Sequence, residues 1–96
     1  MNRKALALSV LSLVATLSFA QAPQPALKVG ATPVPHAELL RIVASELAVQ
    51  GIKLEVVEFT DYVTPNIALA EGQLDANFFQ HVPYLESFSA DRKLSL

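Results

Sequence analysis

The chain has no cysteine, no tryptophan, three glycines and two histidines in 96 residues. Without cysteine there can be no disulfide, thiolate nucleophile, cysteine-ligated metal or lipid-modified N-terminal cysteine. So few glycines leave no phosphate-cradling loop, and neither GxSxG nor HExxH occurs. His36 and His81 are not at metal-ligand spacing and have no second ligand nearby, so neither a metal site nor a cofactor is expected. Positive charge is also short: seven Lys and Arg stand against nine Asp and Glu. Such a balance argues against nucleic acid or an anionic membrane as partner.

What is present begins with an export signal. Residues 1–20 have a basic start (Arg3, Lys4), an apolar run from Ala5 to Leu17 broken only by Ser and Thr, and Ser18-Phe19-Ala20 at the positions a signal peptidase reads. The run is short for a transmembrane helix. Cleavage after Ala20 takes away Arg3 and Lys4 and no acidic residue, so the formal charge of −2 becomes −4. Residues 21–26, with Pro23 and Pro25, read as an extended linker. The remainder is small enough that it holds at most one core.

From Leu27 the pattern is βαβαβ. Leu27 to Ala31 forms a strand, ended by the two prolines of Thr32-Pro33-Val34-Pro35-His36. From His36 to Gln50, apolar Leu39, Leu40, Val43, Leu47 and Ala48 mark one face of a helix that Gly51 terminates. Ile52 to Phe59 alternates as a second strand. Thr64 caps and Pro65 opens a short helix running to Glu71, closed by Gly72. Leu74 to Phe78 makes a third strand and Val82 to Ser89 a third helix. Asp91 to Lys93 turns the chain, and Leu94 to Leu96 resembles the start of a further strand, with an open sheet edge nearby.

A parallel βαβαβ arrangement places the loops after its strands at one edge, where ligands bind in open α/β sheets. Thr32 to His36, Thr60 to Tyr62 and Asn77 to Tyr84 are those loops, so Tyr62, Phe79, His81 and Tyr84 converge there. Aromatic walls with a few polar groups suit a small organic ligand, and the helix starting near His36 offers free N–H groups to a carboxylate. On spacing alone, Phe78, Phe79 and Tyr84 read rather as core residues and His81 as a hydrogen-bonded bystander, and it is the convergence of the three loops that favours a site. Asp61 and Asp75 read as satisfying local turn and backbone donors. A catalytic trio of His81 with Asp61 and Ser45 or Ser87 has almost no specificity, and no enzyme is expected.

The segments VGATPVPHAE (Val29 to Glu38) and VVEFTDYVTPNIALAEGQLDANFFQHVPYL (Val56 to Leu85), behind a signal peptide, resemble the NlpA-type methionine-binding lipoproteins, the substrate-binding components of bacterial methionine ABC importers. The likeness runs from Leu27 onward, and DANFFQHVPYL is its most specific part. It implies a partial first lobe of a type II periplasmic-binding-protein-like fold over 27–96, with the second lobe missing. It also implies a pocket share of Tyr62, Phe79, His81 and Tyr84 supported by Asn77 and Gln80, and ABC transporter permease subunits as partners. The family's carboxylate- and amine-holding Arg and Asn lie beyond Leu96, and Arg41 and Arg92 are poor substitutes. Tight binding of free methionine by residues 1–96 is therefore not expected. A family lipobox cysteine is absent, which implies a periplasmic or secreted form without an evident lipid anchor, held at the inner membrane's outer face through the transporter. The alternatives are a non-binding structural or interaction remnant, and an enzyme using His81.

One expectation is directly measurable. The exported protein should begin at Gln21. Its intact mass should lack residues 1–20 and show no acylation, and a mass retaining them would refute the assignment.

Overall fold

The computed structural model describes residues 23–96. The expected signal peptide lies outside the described residues, and Pro23 to Pro25 of the linker are exposed and without regular structure. Three strands form one parallel sheet: β1 (Leu27–Ala31), β2 (Leu54–Glu58) and β3 (Ala76–Phe78), in the spatial order β2-β1-β3. Between and after them run α1 (Glu38–Val49), α2 (Thr64–Ala70) and α3 (Val82–Arg92). The βαβαβ reading is thus met, with β1 central.

Register ties the strand ends together. Ala31 pairs with both Glu58 and Phe78, so the three strands finish level. Gly30, opposite Val57 and Asn77, has a steric reason to be glycine. A Cβ there would lie 2.7 Å from Leu74 Cδ1 and 2.9 Å from Phe59 Cε2. The buried apolar set is small: Val29, Ala31, Ala37, Ala68, Leu74, Phe79 and Phe88.

Several boundaries differ from the sequence reading. β2 is shorter than Ile52 to Phe59, since Ile52 and Lys53 precede the ladder. β3 loses Leu74 and Asp75. Leu74 is buried off the ladder, while Asp75 N–H donates to Lys28 O (2.9 Å) and its carboxylate accepts from Lys28 N–H (2.8 Å), a side chain standing in for a strand partner. The first helix is preceded by a wide turn over Pro33–Ala37, closed by Ala37 N–H donating to Thr32 O (2.9 Å). The Val34–Pro35 peptide bond in that turn is cis. Leu40, Ala44 and Leu47 are the half-buried stripe of α1, whereas Leu39, Val43 and Ala48 of the expected face are exposed. An ion pair between Arg41 and Glu58 (2.7 Å), exposed at both ends, links α1 to β2.

Thr64 does not cap α2. Its own N–H (2.7 Å) and hydroxyl (2.8 Å) donate to the Asp61 carboxylate, which also accepts Val63 N–H (2.9 Å). These bonds, first among them the Thr64 N–H, hold the Asp61 carboxyl below its ordinary value of 3.8 because they favour the charged form.

The last helix runs on to Arg92, and Leu94 to Leu96 is not a strand. Lys93 adopts the left-handed conformation (φ 54°), and the Lys93 and Leu94 N–H groups donate back to Ala90 O and Ser89 O. That is a Schellman ending, usually reserved for glycine. The free edges of the sheet are accordingly the outer sides of β2 and β3, and Leu94 to Leu96 adds no strand to either.

Two predictions follow from these local geometries. Lys93→Gly should stabilise the chain by roughly 0.5–1 kcal/mol, and Gly30→Ala should destabilise it by about 1–3 kcal/mol through overpacking. Urea unfolding of the two variants checks the opposite signs. Asp61→Ala should destabilise the chain above the ordinary carboxylate range, where the wild-type side chain is charged in both states. Since the folded form holds the lower pKa, the gap between wild type and variant should shrink as pH falls through that depressed value. A gap that widened in acid would contradict the capping role.

Candidate functional site

The three segments leaving the level strand ends meet above the sheet. After β1, Thr32 is buried (7% exposed), and its hydroxyl lies 2.9 Å from His36 Nδ1. The His36 ring stands edge-on to Phe78, with centroids 4.7 Å apart. After β2, the Asp61 turn fixes the loop from which Tyr62 projects, 64% exposed. After β3, the chain bends at Phe79, which turns inward (7% exposed), and His81 precedes α3 with extended backbone. Pro83 sits in the first turn of α3, where its missing N–H costs no helical hydrogen bond, and Tyr84 follows.

These side chains form a continuous aromatic row. Tyr62 stacks nearly parallel to Phe79 (6.3 Å, 9°), Phe79 meets Tyr84 edge-on (6.2 Å, 79°), and Tyr84 tilts against Phe88 (5.8 Å). Both edge-on and offset parallel contacts at these distances are favourable aromatic geometries. The Arg92 guanidinium lies over the Phe88 ring, 4.8 Å from its centroid. Tyr84 O–H donates to Tyr62 O (2.6 Å), so the loop after β2 is locked to α3.

Under the row lies a polar knot. Asn66, in the first turn of α2, is fully buried. Its amide exchanges hydrogen bonds with Gln80, donating to Oε1 (2.7 Å) and accepting from Nε2 (2.8 Å), while Asn77 Nδ2 donates to Asn66 Oδ1 (2.9 Å) and Pro65 O (3.1 Å). Buried amides satisfied in this way fix orientation as well as distance. Asn77 thus binds β3, and Gln80 the segment after it, to α2.

Together these elements border an open cavity of about 460 Å³ lined by His36, Tyr62, Phe79, Gln80, His81 and Tyr84. Its size is that of small-molecule sites. All four residues singled out from the sequence line it, as does Gln80. Asn77 is not part of the lining. Sequence reasoning missed the His36 side chain and Asn66. The sequence puts the Thr32 to His36 loop at this edge, but reads His36 only for metal spacing and for the helix N–H groups near it. Asn66 was hidden in a short helix otherwise read for its apolar residues.

Neither Ser45 nor Ser87 lines the cavity, and the Ser45 hydroxyl donates to Arg41 O in its own helix (3.1 Å), so the catalytic trio does not assemble. Arg41 and Arg92 are also away from the cavity. Among the described residues no cluster of three or more His, Asp or Glu is placed to hold a metal ion. No helix among them is long and apolar enough to cross a membrane.

Residues 27–96 match the family model described as NlpA lipoprotein, a lipoprotein family and not an enzyme family. The chain is 41% identical over 78 residues to the membrane lipoprotein TpN32 of Treponema pallidum, covering 81% of this chain and 29% of that protein. It is 48% identical over 58 residues to the methionine-binding lipoprotein MetQ of Bacillus subtilis, covering 60% of this chain and 21% of the relative. The crystal structure of a pheromone cOB1 precursor/lipoprotein of the YaeC family from Enterococcus faecalis superposes with a TM-score of 0.69 at 52% identity, over 72% of this chain and 29% of that one. The chain therefore spans under a third of the length of these relatives. Matched in sequence along the whole βαβαβ unit and in fold to solved lipoproteins, the chain belongs to the NlpA lipoprotein family.

Proposed function

We propose that the chain contributes part of the first lobe of an extracytoplasmic substrate-binding protein that takes methionine or a related amino acid and delivers it to an ABC importer. The observation that carries this reading is the cavity at the carboxyl edge of the parallel sheet, walled by Tyr62, Phe79 and Tyr84 and edged by His36 and His81. The ligand class is supported by a relative named as methionine-binding. A thioether against aromatic rings gains about 0.3–1.5 kcal/mol per contact, so the wall suits that side chain. In this reading Tyr62, Phe79, His81 and Tyr84 touch the ligand, and Asn77 and Gln80 hold the wall in place from beneath. Binding and release leave the amino acid unchanged, so no catalytic group is required.

The remainder of the reading concerns placement. Residues 1–20 act as the export signal, 21–26 as the linker and 27–96 as the lobe portion. The protein works on the outer side of the inner membrane, in contact with the permease subunits of the transporter.

Protein-observed NMR titration with L-methionine tests the assignment on the chain itself and reads binding as weak as the millimolar range. Saturable shifts should concentrate on Tyr62, Phe79, His81 and Tyr84. Tyr62→Ala and Tyr84→Ala should each weaken binding about tenfold or more, the loss of one aromatic wall, whereas Glu46→Ala on the exposed side of α1 should not. Circular dichroism of each variant separates lost binding from lost folding. Equal effects from all three substitutions, or no saturable shift, would defeat the proposal.

A further inference from the structure

The donors around the cavity are unequally available. Gln80 Nε2 is committed to Asn66 Oδ1 (2.8 Å), and the Tyr84 hydroxyl to Tyr62 O (2.6 Å). His81 and Tyr62 are exposed at the rim. His36 alone among the six lining residues is partly buried, uncommitted at one polar atom and held on two sides, by Thr32 at Nδ1 and by the Phe78 ring.

We infer that His36 is a further ligand-contacting residue of this cavity, its Nε2–H donating to the carboxylate of the bound amino acid, with the tautomer set by Thr32. This rests on the amino-acid reading given above. The tautomer follows from hydrogen-bond accounting. The Thr32 side chain is buried, and among the described residues its hydroxyl has one partner, His36 Nδ1. If Nδ1–H donated to the hydroxyl oxygen, the buried hydroxyl proton would have no acceptor, which is the costlier arrangement. With Thr32 O–H donating to Nδ1, a neutral imidazole carries its proton on Nε2. Nδ1 being occupied by Thr32, Nε2 is the ring nitrogen left for a ligand. A donor whose orientation is already fixed loses little entropy when it binds, which favours it over the freer rim groups.

The test uses the isotopically labelled chain in mildly alkaline buffer and two probes, L-methionine and 3-(methylthio)propylamine, which keeps the thioether and amine but lacks the carboxylate. Long-range imidazole spectra should show His36 protonated at Nε2. Methionine should shift that nitrogen, and the amine should shift the Phe79 and Tyr84 rings while leaving His36 in place. His36→Phe, which keeps a ring and removes the donor, should weaken methionine roughly tenfold and leave the amine's affinity unchanged, as expected for one lost bond to a charged group. Thr32→Val should disturb the tautomer and weaken methionine selectively, and Thr32→Ser should restore both. A purely structural role would lower both probes together and would overturn the inference, as would a His36 protonated at Nδ1. Shifts at Phe79 and Tyr84 with none at His36 would overturn the inference while sparing the binding reading. If neither probe shifted any lining residue, both would fall.

Discussion

Backbone pairing along both sides of β1 is the constraint from which the site's geometry follows. Because Ala31 is level with Glu58 on one side and Phe78 on the other, the chain leaves all three strands along one line. Parallel neighbours lie about 4.8 Å apart, so the three departing segments start within about 10 Å of each other. No contact between the aromatic side chains is needed to bring Thr32, Phe59 and Phe79 together, because the ladder does it. Gly30 is part of the same constraint. It lets Leu74 and Phe59 cross the middle strand closely enough to close the sheet face beneath the site.

A ladder fixes where segments start and leaves open how they turn. That second decision falls to directional bonds, because the buried apolar set is dominated by small residues and two phenylalanines. Burying the Asn66 amide is costly unless every polar atom finds a partner, and here Gln80 and Asn77 meet it. Apolar packing would tolerate sliding of α2 against the segment after β3, whereas a reciprocal amide pair permits little. The Asp61 turn and the Tyr84 bond to the Tyr62 carbonyl act likewise on the loop after β2. The site is therefore set by hydrogen bonds on a scaffold whose hydrophobic core is modest.

This division explains what could be read from the chain. Strand and helix order was legible because Gly51, Gly72 and the paired prolines punctuate it, and the convergence of Tyr62, Phe79, His81 and Tyr84 followed from topology. Side-chain substitutions for backbone partners were not legible. Asp75 replaces a rung of β3, Asp61 takes the capping role given to Thr64, and Lys93 ends α3 in a conformation the composition rules assign to glycine. In each case a single tertiary or local bond outweighs an average preference. The exposed Leu39 and Val43 show the same limit for periodicity, which finds an apolar stripe on α1 but not which part of it meets the sheet. His36 was missed because its contact is with a partner four residues earlier inside a proline-bearing turn, where the sequence reads a loop and not the helix in which that spacing pairs side chains.

The aromatic residues are not all core. Phe79 and Phe88 are each 7% exposed and belong to the core, while Tyr62, at the other end of the row, is 64% exposed. Tyr84 touches both Phe79 and Phe88 and spends its hydroxyl on the backbone that carries Tyr62. The row thus grades from packed interior to open surface, each ring braced by the one beneath it. An apolar face presented to water in this way gains free energy when covered, at about 25 cal/mol for each Å² removed from solvent. Because its inner members are already immobilised by packing, covering it carries little further ordering cost in those rings. The same stacking that secures the end of this small sheet therefore also holds an apolar face open to solvent.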